Sequence, residues 1–489
     1  MKKSRQPELA EIAKLAMEER GFLPDFSEEV LDELKKLNTP TPPLSPCRDL
    51  RDKLWISIDN DDSKDLDQLT YAKTNRVYVA VADVDGEVKP DSAIDQHAAH
   101  NTTSVYCPGK TFPMLPPKLS TGLTSLNENE DRSAMVTEFE VAENGKFELK
   151  DIYPAWVRNK AKLAYNKVTV WLDDPSTFPS DFPNLERKIT PSMILQQLQL
   201  QDQLAAQIQK YRKAQGALSF RDVQLEPIVE NGVAIDLKTK VPNRGHALIE
   251  NMMIAANVSA TRFLNQKNFP TIRRIVRTPK KWDRIVVLAE SLGTRLPQQP
   301  NAKALRDFLL KQEKESPSTF GDLSLSIIKL IGRGEYVVGL PDDHANLIHF
   351  NLAEIEYSHT TAPNRRYPDL IMQRLLKCAL SHIPPSYSLS ELRQIAARCT
   401  EKENDANKVE RLLVKCAAAM IFVKEVGKIF SALVTGASPK GTWIRLLNAL
   451  PIEGKLVKGF KGVDVGDHIK VKLIKVDVLN GHIDFARMD

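Results

Sequence analysis

Asp59-Asn60-Asp61-Asp62-Ser63-Lys64-Asp65-Leu66-Asp67 is the stretch on which the reading of this chain turns. It follows Leu54-Trp55-Ile56-Ser57-Ile58, a strand-like run, so Asp59 leaves the end of a buried strand. Asp65 and Asp67 lie two residues apart. On an extended or tightly turned backbone that spacing sends both carboxylates to one side. Oxygen ligands gathered so closely repel one another unless a cation sits between them, and Mg²⁺ is the usual one. The expectation is a metal-dependent phosphodiester site. Two plainer readings compete. An EF-hand needs Gly at its sixth position and Glu at its twelfth; counted from Asp59 these are Lys64 and Thr70, which excludes it. A solvated acidic turn is favoured by Asp, Asn and Ser on their own, and it fits the run taken alone.

The 489 residues allow roughly two to four domains at ~100–200 residues each. With 42% hydrophobic and 27% charged residues, the chain has the material for an ordinary globular core. No run approaches the ~20 apolar residues that span a bilayer. The start, Met1-Lys2-Lys3-Ser4-Arg5-Gln6, leads into a Glu-rich helix rather than an apolar signal segment. Five cysteines, Cys47, Cys107, Cys378, Cys399 and Cys416, show no CxxC pairing and read as reduced thiols, so a cytoplasmic location without membrane association is expected. A net charge of +5 permits a nucleic-acid partner without demanding one.

Amphipathic spacing predicts two short helices, Glu8–Arg20 and Ser27–Leu37, closed by the Pro-rich linker Thr39–Pro46. Strand patterns follow at Leu54–Ile58, Arg76–Ala82, Ala134–Val141 and Phe147–Trp156. Helices are expected over 190–215, Ala247–Asn265, Ala302–Lys314 and Pro368–Leu380, with Leu389–Val426 forming one long helix or two. The final stretch holds five short strands split by Gly, Pro and Asp turns, which suits a small OB-type barrel. Its lysines and arginines outnumber its acids, and Trp443, next to the turn Pro439-Lys440-Gly441, is the favoured exposed stacking surface for single-stranded nucleic acid. Phe430 is equally compatible with the barrel core. The divisions read as 1–48, a short helical region and linker; 49–425, a catalytic domain; and 426–489, the barrel. The fold class is α+β.

Around Asp59-x5-Asp65-x-Asp67, the sequence resembles the catalytic (RNB) domain of the RNase II/RNase R exoribonucleases. Five further blocks resemble that family in order: Ala82-Asp83-Val84; Thr103–Pro108 with Pro113–Pro116; Leu119-Ser120 through Ser125-Leu126-Asn127 to Arg132; Leu248–Asn257; and Tyr357–Leu370. The terminal barrel is similar to the family's S1 domain. The family commonly places two cold-shock barrels first, whereas residues 1–48 are too few for one. Its acidic motif usually ends Asp-x-Asp-Asp, but here it ends Asp65-Leu66-Asp67-Gln68. Histidines that often flank the Ala-Asp-Val block are replaced by Ala80 and Gly86.

The resemblance implies a hydrolytic 3′→5′ exoribonuclease that takes single-stranded RNA with a free 3′ end and releases nucleoside 5′-monophosphates, and a monomer is expected. Asp59, Asp65 and Asp67 are expected to hold Mg²⁺, or Mn²⁺, with Asp67 the most critical. Arg365 is the expected catalytic guanidinium and Arg366 its RNA-binding neighbour. Tyr106 is expected to stack on the RNA 3′ end, and Glu250 to meet a ribose hydroxyl or pair with a basic residue; Lys440 and Trp443 extend the RNA path. Gln68 removes one carboxylate, predicting a weaker second metal and a need for more Mg²⁺. The alternative is a weakened or inactive RNA-binding protein of the same fold. A phosphatase or DNase is disfavoured by the basic barrel and the matched blocks.

Overall fold

The computed structural model describes residues 8–488 except 183–184, 221–223, 318, 342, 344–346, 439–440 and 448–451. Its centre is a curled sheet. Trp55–Asp59, Gln68–Lys73, Arg76–Ala82 and Asp131–Val141 lie side by side, and Phe147–Ala164 pairs with both outer members. This last strand runs antiparallel to Asp131–Val141 over its first two-thirds and parallel to Trp55–Asp59 over its end. The sheet therefore closes on one strand. Alternation divides its two faces: Val77, Val79 and Val81 meet the helices Pro191–Gln215 and Arg244–Gln266, whereas Ala80 and Ala82 share a core with the helices Tyr367–Leu380 and Leu389–Phe422.

Phe147–Ala164 runs eight residues past the predicted end at Trp156, through the polar stretch Arg158-Asn159-Lys160. Tertiary partners explain this. The buried Asn159 amide donates to Ser57 Oγ and Leu126 O, each at 3.0 Å, and Lys160 pairs with Glu186 at 2.6 Å. The predicted 389–426 helix is one helix, Leu389–Phe422, followed by a single 3₁₀ turn. Antiparallel pairings that were not foreseen include the hairpin of Gln224–Glu230 with Val233–Lys240 and the long-range pairing of Thr271–Ile275 with Glu335–Gly339.

The N-terminal helix Leu9–Glu19 buries Leu9, Ile12, Ala13, Ala16 and Met17 in a core shared with Val409, Leu413 and Cys416 of the long helix. At the other end, Ile429–Ser438, Gly441–Leu446, Glu453–Lys458, His482–Met488 and His468–Asp477 form a closed five-stranded barrel in that spatial order. Gly454 permits its closure, since a Cβ there would stand 2.4 Å from the Phe485 ring. Phe430 packs against the rings of Phe422 and Phe485, so it belongs to the core side. Trp443 points outward at 36% exposure, between the buried Thr442 and Ile444. Lys440 lies outside the described residues. Among the described residues all five cysteines except Cys47 are buried, all are free thiols, and no helix is long and apolar enough to cross a membrane.

Candidate active site

Asp59 ends its strand beside Ala164, and Gln68 opens the next strand, so the acidic loop emerges at one end of the sheet. There it lines a cavity of about 560 Å³ together with Tyr106, Tyr165, Glu250, His359, Arg365 and Arg366. The sequence-predicted Asp59, Asp65 and Asp67 all reach this cavity, and so does Gln68. Asp61 and Asp62 are exposed and do not line it.

The site is built from two loops. In the first, Leu66 is buried between Asp65 and Asp67, which turns the two acids to the opposite side, as their spacing predicts. The second is Ala362–Arg366, which leads into the helix Tyr367–Leu380. Pro368 and Asp369 occupy that helix's first turn, positions that suit both residue types. Asp369 is fully buried and accepts from Ala362 N–H at 2.8 Å and from Arg366 Nη2 at 2.6 Å. For Arg366 this partner was not legible in the sequence. Arg366 lines the cavity, but its guanidinium is engaged by the acid three residues on, one helical turn away. Arg365 keeps the freer side chain, 41% exposed, with Nε 3.3 Å from Asp67 Oδ2. Asn364 N–H donates to Asp67 Oδ1 at 2.9 Å, tying the loops together.

Tyr106 sits on the strand Val105–Cys107, whose neighbours on both sides are buried while it is 42% exposed. Its hydroxyl donates to Asp65 Oδ2 at 2.9 Å, and Ser104 N–H donates to Arg365 O at 3.0 Å, so tyrosine and arginine segments are paired. Glu250 faces the cavity from the central helix on an exposed turn beside buried Ile249. Sequence reasoning passed over Tyr165, Asn257, His349, Tyr357 and His359, which complete the wall and floor. The Tyr165 ring stacks on His246 at 3.9 Å, and the Tyr336 hydroxyl lies 2.9 Å from His359 Nδ1. Burial holds His349 down to about 3 and His359 well below its usual range, so both imidazoles are neutral at neutral pH.

The acids behave differently. Burial, then the charge of Asp67, pushes Asp59 up to about 7, against the pull of Arg365. Burial likewise pushes Asp67 up to about 7, against Arg365 and the Asn364 N–H. Asp59 as a whole is half-buried, but its Oδ2 is enclosed. Donors satisfy Asp65 Oδ2 and Asp67 Oδ1, and Gln68 Nε2 stands at the 3.5 Å limit from Asp59 Oδ1. Asp59 Oδ2 and Asp67 Oδ2 are enclosed with no hydrogen-bond donor, for Arg365 Nε is near the latter without hydrogen-bond alignment. Two orphaned carboxylate oxygens, more basic than usual, on one cavity fit a divalent cation. The fit is incomplete in one respect. Among the described residues no three His, Cys, Asp or Glu side chains are arranged as a ready-made cage, since Asp65 is turned to Tyr106.

Residues 47–382 match the RNB domain, and residues 428–488 match the RNase II-type exonuclease C-terminal S1 domain. The chain belongs to the RNB family. Among similar proteins, ribonuclease R of Thermotoga maritima is 28% identical over 505 residues, covering 95% of this chain and 68% of that protein. Ribonuclease R of Escherichia coli is 31% identical over 421 residues, covering 81% of this chain but only 49% of its own length. The RNB fold seen here is also that of Mycoplasma genitalium RNase R in complex with ribose methylated single-stranded RNA. That structure superposes with a TM-score of 0.86 at 24% identity, over 98% of this chain and 78% of that one. The RNB domain, the S1 barrel and the ribonuclease R relatives together make this chain a 3′→5′ exoribonuclease by class.

Proposed function

We propose that the chain hydrolyses single-stranded RNA one nucleotide at a time from a free 3′ end, using Mg²⁺ or Mn²⁺ held by Asp59, Asp65 and Asp67. The observation that carries the reading is the pair of enclosed, donor-less oxygens, Asp59 Oδ2 and Asp67 Oδ2, beside the half-exposed Arg365. When bound, divalent cations at such acids neutralise phosphate charge and make water a competent nucleophile near neutral pH. The remaining work falls to this chain's own groups. Arg365, already within reach of the site, offers a planar fork to a phosphate oxygen as negative charge builds on it. Tyr106 presents an exposed ring at the cavity rim to the terminal base, which suits sequence-independent stacking. Glu250 and Tyr165 are among the polar side chains lining the cavity that a ribose would meet; the 2′-hydroxyl is the atom that separates RNA from DNA. Outward Trp443 on the barrel extends the strand's path.

Gln68 gives the alternative a specific footing, because its amide donates toward Asp59 where the family motif usually supplies a carboxylate. A spent site would bind RNA without cutting it. The test uses 3′- and 5′-labelled oligoribonucleotides, with and without Mg²⁺, beside the DNA equivalent. Stepwise shortening from the 3′ end, dependent on metal and absent for DNA, is expected. Asp67→Asn should abolish it while leaving RNA binding intact. Tight RNA binding with no shortening under any divalent cation would establish the spent-site reading instead.

A further inference from the structure

The block Leu119–Asn127 resembles the family yet contributes nothing to the cavity lining. Its middle touches both loops of the site. Ser125 is fully buried, accepts from Leu66 N–H at 3.0 Å, and has its hydroxyl 2.8 Å from Lys64 O. Leu126 N–H donates to Leu66 O at 2.9 Å. The backbone between Asp65 and Asp67 is thus clipped through both its N–H and its C=O.

Thr124, next along, reaches the other loop. Its hydroxyl lies 2.8 Å from Leu119 O and 2.5 Å from the Asn364 side-chain amide. One proton cannot serve two acceptors, and in this orientation of the amide Asn364 Nδ2 is buried with no partner. Turning that amide over resolves both: Thr124 donates to Leu119 O and accepts from Asn364 Nδ2. Asn364 is the residue whose N–H holds Asp67, and Arg365 follows it directly.

We propose that Thr124 and Ser125 are positioning residues that register the carboxylate loop against the arginine loop. Ser125 fixes the spacing of Asp65 and Asp67, and Thr124 fixes Asn364, hence Asp67 and Arg365. Neither touches substrate. The inference rests on the exoribonuclease reading, and it accounts for two buried hydroxyls, 3% and 0% exposed, in a segment that also places Leu119 and Leu126 in the core.

The experiment uses the full chain with Ser125→Ala, the isosteric Thr124→Val, and Thr124→Ser as the hydroxyl-keeping control. Mn²⁺ binding is read from the EPR signal of free ion, RNA affinity in EDTA, and kcat and KM on a 3′-labelled oligoribonucleotide. Loss of one buried hydrogen bond is worth about five-fold in an equilibrium constant, so Mn²⁺ affinity should weaken by about three- to ten-fold. Misplacement of the reacting groups should lower kcat by about ten- to a hundred-fold. RNA affinity in EDTA should hold, and Thr124→Ser should restore both readouts. Unchanged Mn²⁺ affinity and kcat would overturn the inference. So would parallel losses of metal affinity, RNA affinity and Tm with no rescue by Thr124→Ser. The Mn²⁺ comparison stands whether or not the unaltered chain turns over, so an inactive chain would sink the proposed function separately.

Discussion

Gln68→Asp restores the carboxylate that the family motif usually carries, and its consequences divide sharply by metal. Gln68 is buried, and its amide nitrogen faces Asp59 Oδ1 at 3.5 Å. Substitution removes that donor and sets a second negative charge about 4 Å from a carboxylate, a repulsion of about 4 kcal/mol at an effective dielectric of ~20. The protein need not bear all of it, because Asp59 already titrates at about 7 and will take up a proton instead. Without metal, the variant should therefore lose about 1–3 kcal/mol of stability at pH 8 and much less at pH 5. With metal, the sign reverses. The added acid supplies a ligand charge in place of an opposing N–H, and half-saturation by Mg²⁺ should fall by about ten-fold, which corresponds to 1.4 kcal/mol. The assay is initial rate against Mg²⁺ concentration for both chains, with thermal melts in EDTA at the two pH values. Superimposable metal curves would refute the argument that Gln68 limits cation binding. A variant melting higher than the parent in EDTA at pH 8 would refute the electrostatic part.

The raised acids also predict the pH dependence of the unaltered chain. Asp59 and Asp67 are pushed up to about 7 in the fold from an ordinary carboxylate value of 3.8, so the folded state binds more protons between those limits. The contribution of these two acids to the stability of the metal-free protein should be full below about pH 4, fall as pH rises, and be lost above about 7. A melt series from pH 5 to 8 in EDTA checks this, and saturating Mg²⁺ should flatten the slope; acid denaturation elsewhere sets its lower end. For Tyr106, Phe should keep RNA affinity while removing the bond to Asp65, whereas Ala should weaken 3′-end binding by about five- to a hundred-fold, the worth of one stacked base. Equal affinity for all three chains would exclude stacking. Arg365→Lys keeps the charge but loses the planar fork, so kcat should drop by about a hundred-fold with RNA affinity in EDTA nearly unchanged. A loss confined to affinity would place Arg365 in binding alone.

Fold elements were legible where the sequence repeats a simple period. Arg76–Ala82, with valine at every second position, matches its strand end to end, and the five runs from residue 428 onward close into the expected barrel. The helix over 190–215 declared itself through Ile194, Leu198 and Leu204, all buried. Elements stabilised by distant partners were not legible. Nothing local marks Asn159 and Lys160 as buried strand, since Ser57, Leu126 and Glu186 supply their partners. Gln68–Lys73 begins with a polar residue at the site itself and carries Thr70 buried on the face opposite Leu69, which masks its strand period.

The site shows the same division more sharply. Residue type and spacing single out Asp59, Asp65 and Asp67, the family resemblance adds Tyr106 and Arg365, and all five line one cavity. Partnership is another matter. Two neighbouring arginines look alike in sequence, yet Asp369 claims Arg366 and leaves Arg365 the freer side chain, because a first-turn acid at three residues' distance meets only one of them. The orphaned oxygens are a property of neither acid alone: each exists because a donor has taken its twin or none can reach it. What a sequence lists as separate ligands is, in the fold, a balance of donors among four acidic and amide side chains. Gln68 changes that balance through the hydrogen atom it brings as much as through the charge it lacks.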